Sequence, residues 1–356
     1  MAVSRRETIL RRLRSRWRAL VCVGFLVVAL GAALGLRAEE PRFFRIGTAA
    51  TAGSYFEIGG VIASAISKPA DSPDCERGGS CGVSGLVAVA QATPGSVENL
   101  RLVNSGQIES GFAQSDLAGS AYRGQGIFAG EAPMEHLRAI ANLFPEALHL
   151  VVAANSEIHS FTDLKGRRVS LGEQRSGTLV SARLVLAAAG VAETDMRVEY
   201  LRPAQASQEI KDGTLDAFFL VGGYPVPAIR ELAVALPIRL IQVDDALLRR
   251  VRDQYGHYGA TVIPAGSYPG LGEDTASIGF HALWVVSADQ QPDLIYDVTK
   301  ALWNEATGRL IDARIAIGKR IRFDDALTGL TVPLHPGAER FYHEAGMASD
   351  APIARN

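Results

Sequence analysis

The stretch IGTAATAGSYFEIGG, residues 46–60, decides the predicted fold of this chain. A short apolar run, residues 43–46, leads into a patch of Gly, Ala, Ser and Thr, and an aromatic pair then opens a helical pattern. Proteins often hold an anion where a strand passes through small residues into a helix, because the first backbone N–H groups of the helix are unpaired. The stretch therefore predicts an α/β unit with an anion site at its strand-to-helix turn.

A second stretch repeats this order of segments. VSLGEQRSGTLVSARLVLAAAG, residues 169–190, again predicts a strand, a Gly-rich turn and a helix. Further on, residues 100–116 and 207–223 each predict a helix that ends at a glycine, Gly106 or Gly213, before an apolar strand. We therefore expect two similar lobes that face each other across a cleft, since ligands of open α/β sheets bind at the carboxyl ends of the strands.

Hydrophobic periodicity predicts alternating strands and helices through the rest of the chain. The strands are expected at residues 43–48, 87–92, 110–115, 138–154, 167–172, 197–202, 216–221, 238–243, 260–265 and 278–287. The helices are expected at residues 55–67, 96–105, 117–124, 177–189 and 204–212, with two more between residues 292 and 318. Most of the strands are nearly continuous apolar runs, which is typical of parallel sheets covered on both faces.

The N-terminal segment has the pattern of an export signal. Seven arginines precede eighteen residues without a charge, 19–36, and Ala38 follows at a position suited to cleavage. Eighteen apolar residues also approach the length that spans a bilayer, so an uncleaved N-terminal anchor is the alternative to a signal peptide at residues 1–38. Either way, we expect the folded part of the chain in the periplasm.

Two cysteines outside this segment, Cys75 and Cys81, are separated by five residues. Cysteines this close in an exported protein indicate one disulfide. A zinc site is the competing interpretation, but it needs four ligands, and neither a histidine nor a further cysteine lies nearby. The insert around this pair, between Pro69 and Gly85, accounts for the greater length of the first repeat.

Several functional classes are excluded by the sequence. A net charge of −2 over 356 residues gives no basic field for nucleic acid. The chain lacks the phosphate-binding loop, the dinucleotide fingerprint and the Gly-x-Ser-x-Gly motif of hydrolases, and its seven histidines lack metal spacing. We therefore predict no catalytic residue, no cofactor and no metal ion, and we expect that the protein is not an enzyme.

Polar residues at the predicted cleft are candidates for binding. Gln114 and Asp116 end a strand of the first repeat, and Gly223 and Tyr224 follow the matching strand of the second. Asp116 is equally suited to a ligand contact and to the N-cap of the helix at residues 117–124. Arg175 lies beside a helix start, where its guanidinium can clamp a carboxylate or remain solvated.

Five segments resemble the TAXI-type solute receptors of TRAP (tripartite ATP-independent periplasmic) transporters. They are IGTAATAGSYFEIGG, GSVENLRLVNSGQIESGFAQSD, FTDLKGRRVSLGEQRSGT, GGYPVPAIREL and TVIPAGSYPG, which occur in the family's order. The resemblance spans about residues 43–335. The resemblance implies an α/β fold, the two-lobed periplasmic binding protein (type II-like), with a mostly parallel sheet in each lobe. Lobe one would comprise residues 41–147 and 262–356, lobe two residues 148–261, and the hinge strands would lie near 148–153 and 259–264.

The same resemblance implies a function. The chain would bind a small anionic solute, a dicarboxylate or an acidic amino acid such as glutamate or 2-oxoglutarate, and deliver it to the membrane subunits of a TRAP transporter. Its binding residues would be Thr48, Gly53, Ser54, Tyr55, Gln114, Asp116, Ser176, Gly177, Thr178, Gly223 and Tyr224, to which we add Arg175. Gln174-Arg175 replaces a frequent Pro-Gly, so ligand identity is not carried over. A membrane-anchored sensing module is the alternative function.

Overall fold

One mixed sheet of twelve strands connects the described part of the chain. The computed structural model describes residues 41–73, 75–77, 79–255 and 258–347, so the predicted signal peptide or anchor at residues 1–38 lies outside the described residues. The strands are β1 (Arg42–Gly47), β2 (Ser67–Lys68), β3 (Val83–Ser84), β4 (Leu86–Gln91), β5 (Ser110–Gln114), β6 (Leu137–Ala153), β7 (Arg168–Ser170), β8 (Arg197–Glu199), β9 (Ala217–Gly222), β10 (Ile238–Leu240), β11 (Gly259–Ile263) and β12 (Thr275–Ser287). Their order is β3-β2-β4-β1-β5-β12-β6-β9-β7-β8, with β10 beside β6 and β11 beside β12.

Helices cover both faces of this sheet. They are α1 (Ser54–Ile66), α2 (Ser96–Asn104), α3 (Ser115–Arg123), α4 (Gly177–Ala189), α5 (Pro203–Lys211), α6 (Pro227–Ala235), α7 (Asp245–Tyr255), α8 (Pro292–Leu302), α9 (Glu305–Arg314) and α10 (Pro336–Glu344). Each strand and each helix predicted from the sequence overlaps an observed one. The prediction missed β2, β3, α6, α7 and α10. In the part of the chain that the structure describes, no helix is long and apolar enough to cross a membrane.

Two long strands connect the lobes. Strand β6 pairs with β12 through its first half and with β9 of lobe two through its second half. Strand β12 pairs with β5 of lobe one, and its residues Ile278 and Phe280 pack in the apolar cluster of lobe two, so both long strands contact the two lobes. The parallel pairs lie to either side, with β1 next to β4 and β5 in lobe one and β7 next to β8 and β9 in lobe two. The predicted two-lobed α/β architecture is confirmed.

Four buried apolar clusters hold these layers together, one on each face of each half of the sheet. In lobe one, Trp284 is fully buried and makes edge-to-face contacts with Phe44 and Phe112. Ile278 and Phe280, which the predicted boundaries put in lobe one, pack in a cluster of lobe two. Burying each such side chain contributes roughly 1.5–3 kcal/mol to folding.

Glycines end the helices where the sequence analysis expected them. Gly106 and Gly213 have φ angles of +69° and +68°, the left-handed conformation in which a side chain with a Cβ is disfavoured. Each lets the chain turn directly from a helix into the following strand of its repeat. The matching glycines therefore support the predicted similarity of the two lobes.

Short strands end the sheet on both sides. Strand β3, with two residues, lies at one edge, and β8, with three, lies at the other. The chain between β2 and β3 carries the disulfide between Cys75 and Cys81, whose Cα atoms are 4.7 Å apart. This disulfide confirms the predicted pairing.

Candidate functional site

A small cavity of about 50 Å³ lies between the two lobes. The N-termini of α1 and α2 line it from lobe one, and those of α4 and α5 line it from lobe two. Four helix N-termini therefore converge on one space, and their first N–H groups and dipoles favour negative charge there.

Seven of the twelve predicted binding residues line this cavity, and five lie elsewhere. Those that line it are Gly53, Ser54, Tyr55, Gln114, Ser176, Gly177 and Thr178. Those that lie elsewhere are Thr48, Asp116, Arg175, Gly223 and Tyr224. The structure thus brings the two strand-to-helix turns together, while the binding roles of individual residues remain predictions.

The first turn of α1 forms the wall from lobe one. Its N-cap, Gly53, has an extended backbone, and Ser54 is 4% exposed. The Tyr55 ring packs edge-on against Phe112 and Phe144, and its hydroxyl donates a 2.9 Å hydrogen bond to Glu146 Oε2. Burial, followed by the adjacent Glu146 carboxyl, raises the pKa of Tyr55 well above its usual value, so this hydroxyl remains a donor.

The first turn of α4 forms the wall from lobe two. The Ser176 hydroxyl caps the helix by accepting a 3.1 Å hydrogen bond from Leu179 N. Thr178 Oγ1 accepts a 3.0 Å hydrogen bond from Val221 N, which fixes the end of β9. Gly177 lies so close to lobe one that a Cβ there would overlap the side-chain oxygen of Gln114.

Direct hydrogen bonds join the two lobes around the cavity. The Gln114 side chain donates to Ser181 Oγ of α4 at 3.1 Å. Backbone hydrogen bonds from Glu98 N to Arg175 O, 3.2 Å, and from an α6 amide to Ala52 O, 3.1 Å, connect the lobes at two further points. The lobes are therefore closed against each other, with space between them for only a few water molecules.

Two of the predicted charged residues lie outside the cavity wall. Arg175 has a left-handed backbone, φ +64°, and its guanidinium pairs with the Glu98 carboxylate of lobe one at 3.0 Å, with 59% of its side chain exposed. Asp116 is not the N-cap of α3, since that helix begins at Ser115 and its N-cap is Gln114. The Asp116 carboxylate accepts a 2.9 Å hydrogen bond from the Tyr258 hydroxyl on the hinge side.

Three more predicted residues have structural contacts instead. Thr48 is fully buried, and its hydroxyl donates a 2.8 Å hydrogen bond to a backbone carbonyl of β4. Gly223 packs so closely on Phe144 that a Cβ would approach the ring to 2.7 Å. Tyr224 is 6% exposed and donates a 2.8 Å hydrogen bond to a carbonyl of β11. These residues position the turns around the cavity without lining it.

The charges at the cavity are unusual for an anion site. Among the described residues that line it, no side chain is a lysine, an arginine or a histidine, and two are glutamates. Glu173 is neutralised by Arg202, whose Nε lies 2.8 Å from its carboxylate. In the described ranges, no group of three or more His, Cys, Asp and Glu side chains is arranged to hold a metal ion.

Glu146 is the second glutamate, and it lies on the shared strand β6. It is 1% exposed, and within the described residues the hydrogen bond from Tyr55 is the only one that its carboxyl makes. Burial, together with the nearby Asp116 carboxylate, raises the pKa of Glu146 to about 8. The carboxyl is therefore mostly protonated near neutral pH.

Both strand-to-helix turns and both strands shared by the lobes lie within a single family match. A family model described as the NMT1-like family matches residues 46–346. This chain belongs to the NMT1-like family.

Solved structures similar to this NMT1-like chain include binding proteins for small molecules. An alkanesulfonate-binding protein from Xanthomonas axonopodis pv. citri, bound to MOPS, is 18% identical, with a TM-score of 0.44 over 80% of this chain and 84% of that one. A periplasmic aliphatic sulphonate binding protein from Escherichia coli is 16% identical, with a TM-score of 0.41 over 88% and 96% of the two chains. An ancestral arginine-binding protein bound to arginine is 15% identical, with a TM-score of 0.43 over 78% and 100%.

Glu146 is not among the binding residues predicted from the sequence of this NMT1-like chain. The residue falls in the apolar run at residues 139–153, within a predicted strand rather than at a strand end. A single carboxyl in such a run is itself a signal, because a buried acid is rare and tends to occur at functional sites.

Proposed function

We propose that the protein is an exported solute receptor that binds a small organic acid between its lobes and delivers it to a membrane transporter. One observation carries this proposal: a cavity between two lobes is lined by helix N-termini from each of them. Such an arrangement suits reversible capture of an anion, because both lobes contribute donors and neither forms a complete site alone.

Binding is expected to use backbone donors rather than cationic side chains. Carboxylate oxygens accept N–H groups at the starts of α1 and α4, and each hydrogen bond to a charged group contributes about 1.5–3 kcal/mol. The lobes are closed around a cavity of about 50 Å³, so the solute enters a more open form. Opening by rotation about β6 and β12, the strands shared by both lobes, would expose the two turns.

The resemblance to TAXI-type receptors refines this proposal. We expect a dicarboxylate or an acidic amino acid, such as glutamate or 2-oxoglutarate, as the solute, and the membrane subunits of a TRAP transporter as the partner. The N-terminal segment, with its arginines and its eighteen apolar residues, supports residence in the periplasm.

Isothermal titration of the purified protein tests this function. We expect one or more C4 to C6 dicarboxylates or acidic amino acids to bind, and mass spectrometry should recover the bound solute unchanged. Ser54→Trp should abolish binding by filling the cavity, whereas Ser105→Trp, on an exposed turn, should leave it intact. Circular dichroism verifies that both variants fold. Failure of a broad metabolite panel to bind the wild type would refute the proposal.

The length of the N-terminal apolar segment favours one second candidate. Eighteen residues approach the length of a membrane span, and a permanently anchored protein would suit a sensing module that presents its bound state to a partner. Cell fractionation separates the two functions. A transport receptor is expected mainly in the soluble periplasm, and a sensor in the membrane fraction.

A further inference from the structure

The position of the Glu146 carboxyl is the starting point. It lies on β6, the strand shared by both lobes, and it lines the cavity while only 1% of the residue is exposed. Its Oε2 accepts the hydrogen bond from Tyr55, and its second oxygen has no hydrogen-bond partner among the described residues. This carboxyl can therefore accept a further hydrogen-bond partner, which a bound solute can provide.

The charge balance of the cavity indicates what that partner is. The helix N-termini favour anionic groups, but no lysine, arginine or histidine among the described lining residues is available to offset an anionic group placed beside Glu146. A solute that placed a further anionic group next to Glu146 would meet a carboxyl instead of a cation. A solute with a positive group at that end complements both halves of the cavity.

We propose that Glu146 is a specificity-determining residue that accepts the ammonium group of the solute, so that the receptor selects amino acids over the corresponding acids without an amino group. This inference rests on the proposed receptor function and names its solute class. The carboxylate of the amino acid lies at the helix N-termini, and its ammonium group donates to the free oxygen of Glu146. Tyr55 holds the other oxygen and thereby orients the carboxyl.

A proton is released in this binding event. The groups that face Glu146 are Tyr55 on α1, Asp116 on α3, Tyr258 next to β11 and His281 on β12. None of them provides a fixed positive charge, so the carboxyl is mostly protonated before binding. An ammonium group stabilises the ionised form, and the displaced proton leaves to solvent.

Matched pairs of solutes test this assignment by isothermal titration. L-Glutamate with glutarate, L-aspartate with succinate and L-norvaline with pentanoate differ within each pair only by the amino group. We expect the amino member of the bound pair to bind at least about tenfold more tightly, the scale of one charge-assisted contact. Glu146→Gln should reduce this ratio to below about threefold. Glu157→Gln, whose parent carboxylate is exposed and pairs with Arg167 away from the cavity, should keep the wild-type ratio.

The wild type gives a second test that does not depend on a variant folding. With a pKa of about 8 for Glu146, binding of the amino member near pH 7 should release about 0.9 proton, measured by titration in buffers of different ionisation enthalpy. Affinity for that member should rise about eightfold between pH 7 and pH 8.5. Equal affinity for both members of a pair, or binding without proton release, would overturn the role of Glu146 and leave the receptor function standing. Binding of no member of any pair would overturn both.

Discussion

The contact between Gly177 and Gln114 allows a direct test of lobe closure. Replacing Gly177 with alanine adds a Cβ that overlaps the Gln114 side-chain oxygen and lies 2.8 Å from Ser96 Oγ. Gln114 is 2% exposed, so while the lobes are closed its amide can move only into the small cavity that it lines, where it takes up space for the solute. We therefore expect Gly177→Ala to disfavour the closed form specifically.

The loss of closed-form stability follows from the contacts that Gln114 loses in the variant. Moving its amide breaks the 3.1 Å hydrogen bond to Ser181, which contributes about 1 kcal/mol. Overpacking a well-packed contact costs at least about 1 kcal/mol more. A total of about 2 kcal/mol corresponds to roughly thirtyfold weaker solute binding, since each 1.4 kcal/mol is tenfold.

Isothermal titration with the best-binding solute of the panel measures this loss. Gly60→Ala is the matched control, because a Cβ at this position in α1 meets no atom within 4 Å, so affinity should remain at the wild-type value. Adding Gln114→Ala to Gly177→Ala removes the overlap and should restore affinity to that of Gln114→Ala alone. Wild-type affinity in Gly177→Ala would show that this contact does not govern closure, and the reasoning would fail.

Three further predictions concern charge and covalent links. Arg175→Asn and Glu98→Gln should each weaken solute binding about two- to fivefold, and the double variant should weaken it no further, because an exposed ion pair contributes at most about 1 kcal/mol. A tenfold loss confined to Arg175→Asn in isothermal titrations would instead indicate that Arg175 contacts the solute directly. Reducing the Cys75–Cys81 disulfide should lower the free energy of unfolding by about 2 kcal/mol, the chain-entropy value for a short loop, which unfolding curves with and without reductant measure. Solute affinity, measured by titration, should remain unchanged because neither cysteine lines the cavity. Because burial raises the pKa of Glu146 to about 8, the free energy of unfolding of the wild type should fall by up to about 5 kcal/mol as pH rises from about 4.5 to about 8. Glu146→Gln should lack this loss. Parallel pH profiles of the two proteins in denaturant titrations would contradict the assignment.

The strand-to-helix turns were predictable because local chemistry fixes them. Gly53 and Gly177 precede or begin helices whose apolar residues recur with helical spacing, and parallel strands bring such turns to one edge of a sheet. The apolar runs predicted the strands, and the repeated order of strand, turn and helix predicted the two lobes. Helix α7 was missed although its residues are amphipathic, since a short polar helix has a weak apolar signal.

The remaining site features depend on contacts between segments distant in sequence. Arg175 is adjacent to the cavity residues along the chain, but Glu98, 77 positions away, draws its guanidinium to the outside of the cleft. Glu146 meets Tyr55 across 91 positions, and its high pKa arises from burial that no local pattern encodes. Periodicity assigns a residue to a face of an element, whereas its electrostatic role depends on which element packs opposite.

The short strands at the two ends of the strand order affect how easily another chain can add to the sheet. An exposed sheet edge offers unpaired N–H and C=O groups to which another chain can add a strand. Here β3 and β8 offer only two and three residues, β8 carries both Arg197 and Glu199, and the disulfide-closed insert leads directly into β3. At these two ends of the strand order, a second copy therefore finds too short a template for continued pairing. The insert, which contributes nothing to the cavity, thus helps to close one end of the sheet to strand addition.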